Sequence, residues 1–90
     1  MDLQTWVKNQ EKKSGKKLTL KQLANRFGVA NGSIVRRWML PANHKDFNFP
    51  EPENIVAVQE STLGEVTPHD FYSWYEATRE DMTDEPTING

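Results

Sequence analysis

The chain has 90 residues, no cysteine and a formal net charge of −2. This length fits one small domain and excludes multidomain enzymes and α/β barrels, and the lack of cysteine excludes a disulfide framework and thiolate metal sites. The apolar runs are too short to span a bilayer and no apolar signal region occurs near residue 1, so we expect a cytoplasmic protein without a membrane partner.

The first two predicted helices lie before residue 28. Asp2 can cap a helix that runs from Met1 to Lys13. Thr19 can cap a second helix over Leu20–Phe27, because apolar residues recur there at helical spacing. Gly28 follows directly and can adopt the positive φ that a tight turn needs.

A third helix is predicted from about Asn31 to Met39 or Leu40. Ile34 and Trp38 are four residues apart, so this spacing predicts that both lie on the inner face of the helix. The following proline stops the helix, and residues 41–50 are predicted to form a loop.

The sequence of the second half of the chain predicts two more helices. The fourth starts at Pro50 or Pro52 and is closed by Gly64. Thr67 caps the fifth, with a proline at the first position and an acidic residue three positions after the cap. Strand patterns are weak, and residues 64–66 are the best candidate for an extended stretch.

The predicted fold is therefore all-α, a small five-helix domain over residues 1–78. From Arg79 onward the sequence is acidic and poor in apolar residues. Such a composition cannot bury enough apolar surface to fold, so residues 79–90 are predicted to form a disordered acidic tail.

The segment from Leu18 to Trp38 has the residue spacing of a helix-turn-helix. Two short helices that cross steeply need a small residue at the crossing and a left-handed residue in the turn, and Ala24 and Gly28 meet these needs. Apolar residues are also needed on both sides of the turn, and the chain supplies Leu23, Phe27, Val29, Ile34 and Trp38. An ordinary helical hairpin is the alternative.

The net charge conceals a strong asymmetry. Residues 1–45 hold ten of the eleven Lys and Arg residues and two acidic residues, a formal charge of +8. Residues 46–90 hold Arg79 and eleven acidic residues, a formal charge of −10. This pattern is typical of a polyanion-binding half joined to an acidic half with another task.

The run LTLKQLANRFGVANGSIVRRW resembles the helix-turn-helix of phage Cro and repressor proteins. The run PEPENIVAVQESTLGEVTPHDFY resembles the end of Cro-like regulators, so the resemblance covers about residues 18–72. It implies sequence-specific binding to a double-stranded operator by a homodimer that represses transcription by covering the promoter. The half-sites would lie about one helical turn apart, and no cofactor is implied.

The resemblance implies that the start of the third helix contacts base edges in the major groove. The residues at the matching positions are Asn31, Gly32, Ser33, Val35 and Arg36. Asparagine can pair with an adenine edge and arginine with a guanine edge, while valine can touch a thymine methyl group. Gly32 lets the backbone approach closely. Because Ala30 replaces the usual hydroxyl cap, Asn31 either reads a base or caps the helix.

Phosphate contacts are expected from polar residues around the two helices. The candidates are Lys16, Lys17, Lys21, Gln22, Arg37 and Lys45. The start of the second helix crosses the DNA backbone in proteins of this kind, which favours the first four. For each cation, an ordinary solvated surface position is the alternative.

Four aromatic residues cluster near the end of the domain: Phe71, Tyr72, Trp74 and Tyr75. They cannot all face one small core, so we expect some of them to form a dimer interface, since aromatic residues dominate interface energetics. A C-terminal helix that packs two of them against the first helix, without a dimer interface, is an equal alternative.

No catalytic set, phosphate-binding loop or nucleotide-binding motif occurs, so no enzymatic function is predicted. His44 and His69 are too isolated to suggest catalysis or a metal site. The alternative to a DNA-binding regulator is an antitoxin-like or other interaction module, in which the acidic half binds a protein partner and the helix pair is only a scaffold.

Overall fold

The computed structural model describes residues 1–80 and contains five α-helices in that range. They are α1 (Leu3–Ser14), α2 (Leu20–Phe27), α3 (Gly32–Met39), α4 (Pro52–Ser61) and α5 (Pro68–Thr78). No β-strand occurs among these 80 residues, which confirms the all-α five-helix prediction. Residues 79 and 80 follow α5, and the rest of the predicted acidic tail lies outside the described residues.

Side-chain caps fix the starts of four helices. The capping residues are Asp2, Thr19, Asn31 and Thr67, and each accepts a backbone N–H of the first turn. In α2 and α5 the capping box is complete, because Gln22 and Asp70 bond back to the backbone of the cap. By contrast, α4 has no side-chain cap and begins at Pro52. The bounds of α2 agree with the sequence prediction, whereas α1 begins two residues later than predicted.

The connection between α4 and α5 differs from the prediction. Helix α4 ends at Ser61 rather than beside Gly64. The buried Thr62 hydroxyl donates to the Val58 carbonyl at 2.8 Å and accepts the Val66 N–H at 3.1 Å, which folds the chain into a turn. Residues 64–66 are consequently not extended, and the Val66 side chain is fully buried.

One apolar core joins all five helices. The Phe27 ring of α2 lies between Trp6 of α1 and Trp38 of α3, with ring centroids 6.3 and 6.5 Å away. The remaining buried apolar residues are Leu3, Val7, Leu23, Ala24, Val35, Ile55, Val58, Val66 and Phe71. Helix α2 therefore lies centrally, in contact with α3 on one side and α4 on the other.

The buried face of α3 shares Trp38 with the prediction but has a different second residue. Val35 and Trp38 are buried, whereas Ile34 only packs partly against the core. Residues three apart share a helix face just as residues four apart do. The sequence spacing therefore allowed either Val35 or Ile34 to lie on the same face as Trp38. The core selects Val35 with Trp38, which sets the rotation of α3 and so its outer face.

The C-terminal end of α3 is held by α5. The Trp74 indole N–H donates to the Leu40 carbonyl at 2.8 Å. Two residues further on, the Ala42 N–H donates to the Thr78 hydroxyl at 2.8 Å. These two bonds tie the exit from α3 to successive turns of α5 and fix the direction in which α3 points.

Candidate nucleic-acid interface

Helices α2 and α3 meet at their N-terminal ends in a close backbone approach. A Cβ added at Gly32 would lie 2.6 Å from the Leu20 Cβ and 2.9 Å from the Leu20 carbonyl carbon. Gly28 forms the turn between the helices with φ of 74°. The close approach that Gly32 allows in this structure is therefore to α2, and contact of its backbone with DNA stays a prediction.

The outer face of α3 carries one serine and two arginines. Successive residues of an α-helix are rotated by about 100°, so Ser33 lies opposite the buried pair Val35 and Trp38. Arg36 and Arg37 fall on either side of Ser33, and all three residues are exposed. Arg37, predicted to contact a phosphate, is thus placed as centrally on this face as Arg36.

The predicted base contact by Val35 is wrong. Its side chain has no exposed surface and packs in the core, so it cannot reach a thymine methyl group. The cause is the rotation of α3 about its axis, which turns position 35 inward and leaves position 34 partly exposed.

In this structure Asn31 caps α3, which decides between the two roles that the sequence left open for it. Its Oδ1 accepts the Ile34 N–H at 3.3 Å. A paired contact to an adenine edge needs both the oxygen and the NH₂ group of the side chain. With the oxygen engaged in the cap, the exposed Asn31 has only its NH₂ group to offer to a base or phosphate.

The residues predicted to contact phosphates all lie at the surface. They are Lys16, Lys17, Lys21, Gln22, Arg37 and Lys45. Gln22 uses its Oε1 to accept the Thr19 N–H at 2.9 Å in the α2 capping box, so its NH₂ group remains as a donor. Lys16 and Lys17 belong to a wider basic surface, because they line an open hollow together with Lys8 and Lys12 of α1.

The two carboxylates of the basic half are bound by backbone N–H groups. Asp2 accepts the Thr5 N–H at 2.8 Å, and Glu11 accepts the Leu18 N–H at 2.7 Å. Among residues 1–80, no salt bridge involves a lysine or arginine of residues 1–45. Arg26 is nevertheless engaged, since its guanidinium lies 5.0 Å from the Trp6 ring centroid. The other nine cations of residues 1–45 have no ionic partner within the described part of the chain.

The aromatic cluster of α5 divides between the core and the surface. Phe71 is buried, so its predicted role in a dimer interface is wrong. Trp74 is partly buried and donates to the Leu40 carbonyl. Tyr72 and Tyr75 remain 59% and 40% exposed, and their rings lie beside Phe49 from the loop before α4.

Comparison with protein-family models, curated proteins and solved structures finds no match to this chain. Within residues 1–80, no helix combines the length and apolar character needed to cross a membrane. The same residues contain no group of three acidic or histidine side chains arranged to hold a metal ion. His44 makes a local contact, in which its Nδ1 accepts the Asp46 N–H at 3.0 Å.

Proposed function

We propose that this protein is a sequence-specific DNA-binding transcriptional regulator that inserts α3 into the major groove. The observation that carries the proposal is the outer face of α3, where Ser33 lies between two exposed arginines and opposite the buried Val35 and Trp38. An α-helix fits the major groove, and an arginine that reaches a base edge forms paired hydrogen bonds with guanine.

The surface around α3 supports the same function. The Gln22 N–H is taken up by the Thr19 hydroxyl, but the N–H groups before it at the start of α2 have no partner within the helix and can bind a phosphate, and Lys21 lies exposed in the same turn. Lys45 is exposed in the loop that follows α3 and is a further candidate for a phosphate contact. Phosphate contacts of this kind set the register of the protein on the duplex, while the arginines of α3 supply the sequence preference.

The regulatory part of the proposal is repression by occlusion, as the resemblance to Cro-like phage regulators implies. A protein bound over a promoter prevents polymerase from loading, and this mechanism needs no cofactor. The symmetric homodimer on a near-palindromic operator is a further prediction from the resemblance.

The test begins with selection from random duplex DNA, which we expect to enrich one motif. Arg36→Ala should then lower affinity for this motif by about 1–3 kcal/mol and relax the preference at one base pair. Arg79→Ala is the matched control, because it removes the same charge from an exposed position in the acidic half. Its affinity should stay close to that of the wild type.

Two results would argue for the interaction module instead. One is binding to random and selected duplexes with equal, strongly salt-dependent affinity, since such binding reflects charge alone. The other is an Arg36→Ala variant that binds as well as Arg79→Ala does.

A further inference from the structure

An open hollow beside α1, which we call the basic hollow, carries positive charge that the contacts proposed for α2 and α3 use only in part. Its lining residues are Lys8, Glu11, Lys12, Gly15, Lys16 and Lys17. All four lysines are exposed, and within residues 1–80 none of them forms a salt bridge. With four cations and one carboxylate, the hollow has a formal charge of +3.

The single carboxylate of the basic hollow is bound by the backbone. On a helix, Glu11 could pair with Lys8, three residues earlier. Its Oε2 accepts instead the Leu18 N–H at 2.7 Å, in the connection between α1 and α2. Glu11 therefore holds this connection against α1 and forms no ion pair with the lysines around it.

Local hydrogen bonds also fix the places of Lys16 and Lys17. Gly15 has φ of 71°, and its N–H donates to the carbonyl of Glu11 at 2.9 Å. The Lys16 N–H then donates to the Ser14 hydroxyl at 3.2 Å. These bonds turn the chain back at the end of α1, so that Lys16 and Lys17 line the same hollow as the lysines of the helix.

The basic hollow adjoins the start of α2. Leu18, the residue that Glu11 binds, directly precedes Thr19, which caps α2. From Lys8 to Gly15 the chain advances seven residues, which is about 10 Å of helix. Successive phosphates of one DNA strand are about 3.4 Å apart along the helix axis, so this length corresponds to about three base pairs. The hollow thus continues the positive surface at the start of α2 over a distance that matters on DNA.

We propose that α1 is a further DNA-contacting element, in which Lys8 and Lys12, with Lys16 and Lys17, bind phosphates of the duplex that flanks the base-contacting segment. This site rests on the proposed function and extends the DNA contact beyond α2 and α3. Phosphate contacts carry no direct sequence information. The basic hollow therefore adds affinity and salt dependence and lengthens the duplex that each molecule covers, without changing the selected motif.

The test compares two duplexes that carry the selected motif, one without flanking base pairs and one with about six added on each side. The wild type should bind the longer duplex several-fold more tightly. The double variant Lys8→Ala/Lys12→Ala should lose most of this gain while binding the shorter duplex like the wild type. Each phosphate contact contributes about −0.9 to the slope of log affinity against log salt, so the slope on the longer duplex should be flatter by about 1.8 for the double variant.

Lys13→Ala is the matched control for the charge. It removes one cation from the same part of α1, but Lys13 lines a different hollow, together with Trp6 and Arg26. Its gain from flanking base pairs and its salt slope should match those of the wild type. All three lysines are exposed helical residues, and alanine is favourable in a helix, so the variants should keep the fold.

Two results would overturn the proposal: a wild type that gains no affinity from flanking base pairs, and a double variant that behaves like Lys13→Ala. Either result leaves the proposed function standing if Arg36→Ala still weakens binding to the short duplex and relaxes its base preference. The double variant should select the same motif as the wild type, because its lost contacts are to phosphates. A protein that selects no motif would overturn the proposed function and this proposal together.

Discussion

Replacing Gly32 by alanine tests the packing between α2 and α3. Helix propensity alone predicts a more stable protein, because alanine inside a helix is favoured over glycine by about 1 kcal/mol. The structure predicts the opposite sign. The added Cβ would lie 2.6 Å from the Leu20 Cβ, whereas carbon atoms pack at about 3.5–4.0 Å, so α3 must move by about 1 Å.

The size of the effect follows from which atoms have to move. The clash is with a Cβ and with backbone atoms of Leu20 rather than with the far end of a flexible side chain. Overpacking of this kind costs about 1–3 kcal/mol, and we expect the upper half of that range here. After the gain in helix propensity, Gly32→Ala should lose about 1–2 kcal/mol in free energy of unfolding. The melting temperature of a domain of this size should fall by several degrees.

The assay is urea and thermal unfolding of Gly32→Ala followed by circular dichroism. Ser33→Ala is the control, since it changes the neighbouring exposed residue and should alter the free energy of unfolding by only a few tenths of a kcal/mol. Truncating Leu20 to alanine in the Gly32→Ala background should give no rescue, because the clashing Cβ and backbone atoms remain. A Gly32→Ala protein that is as stable as the wild type, or more stable, would refute the reasoning.

Three further predictions concern the turn after α4 and the start of α5. Thr62→Val removes the hydroxyl that accepts the buried Val66 N–H and should cost about 1–3 kcal/mol in urea unfolding, whereas Thr62→Ser should keep most of the stability. Leu63→Gly should raise the free energy of unfolding by about 0.5–1 kcal/mol in dilute solution, because it relieves the positive φ and loses no burial; a decrease would contradict the strain argument. Partial burial opposes ionisation of Asp70, but hydrogen bonds from the Thr67 N–H, the Met1 ammonium and the Thr67 hydroxyl outweigh it and hold the pKa of Asp70 below its ordinary 3.8. Its stabilisation is therefore complete above that pH and is lost as the pH falls through the lower folded-state value, so the deficit of Asp70→Asn at neutral pH should shrink in acid; a constant deficit would refute the pKa assignment.

The pair of helices α2 and α3 with the turn at Gly28 could be predicted because its determinants are local. Thr19, Gln22 and Gly28 fix both ends of α2 through contacts within a few residues, and these show directly in the sequence. The basic outer surface was also predictable, because exposed cations need no tertiary partner. Helix number and type follow from the same caps and prolines.

What could not be predicted depends on contacts between distant segments. Spacing allowed either Ile34 or Val35 to join Trp38, and only packing of α3 against the core decides between them. The role of Gly32 depends on Leu20, twelve residues earlier in the chain. The turn at Thr62 ends α4 early through bonds to Val58 and Val66, each four residues away, but the burial that holds the Thr62 side chain in place comes from the packed core.

The anchoring of α3 at both ends has a consequence for how DNA would be recognised. At its start, Gly32 lies against Leu20 of α2, and at its end the Leu40 carbonyl is held by Trp74 of α5. A helix fixed in this way cannot tilt independently of the rest of the domain to follow a groove of variable width. In the proposed complex, the duplex has to adjust its own bend and groove width, at a free energy cost that depends on how flexible its base steps are. Operator preference should then extend to base pairs that no side chain touches.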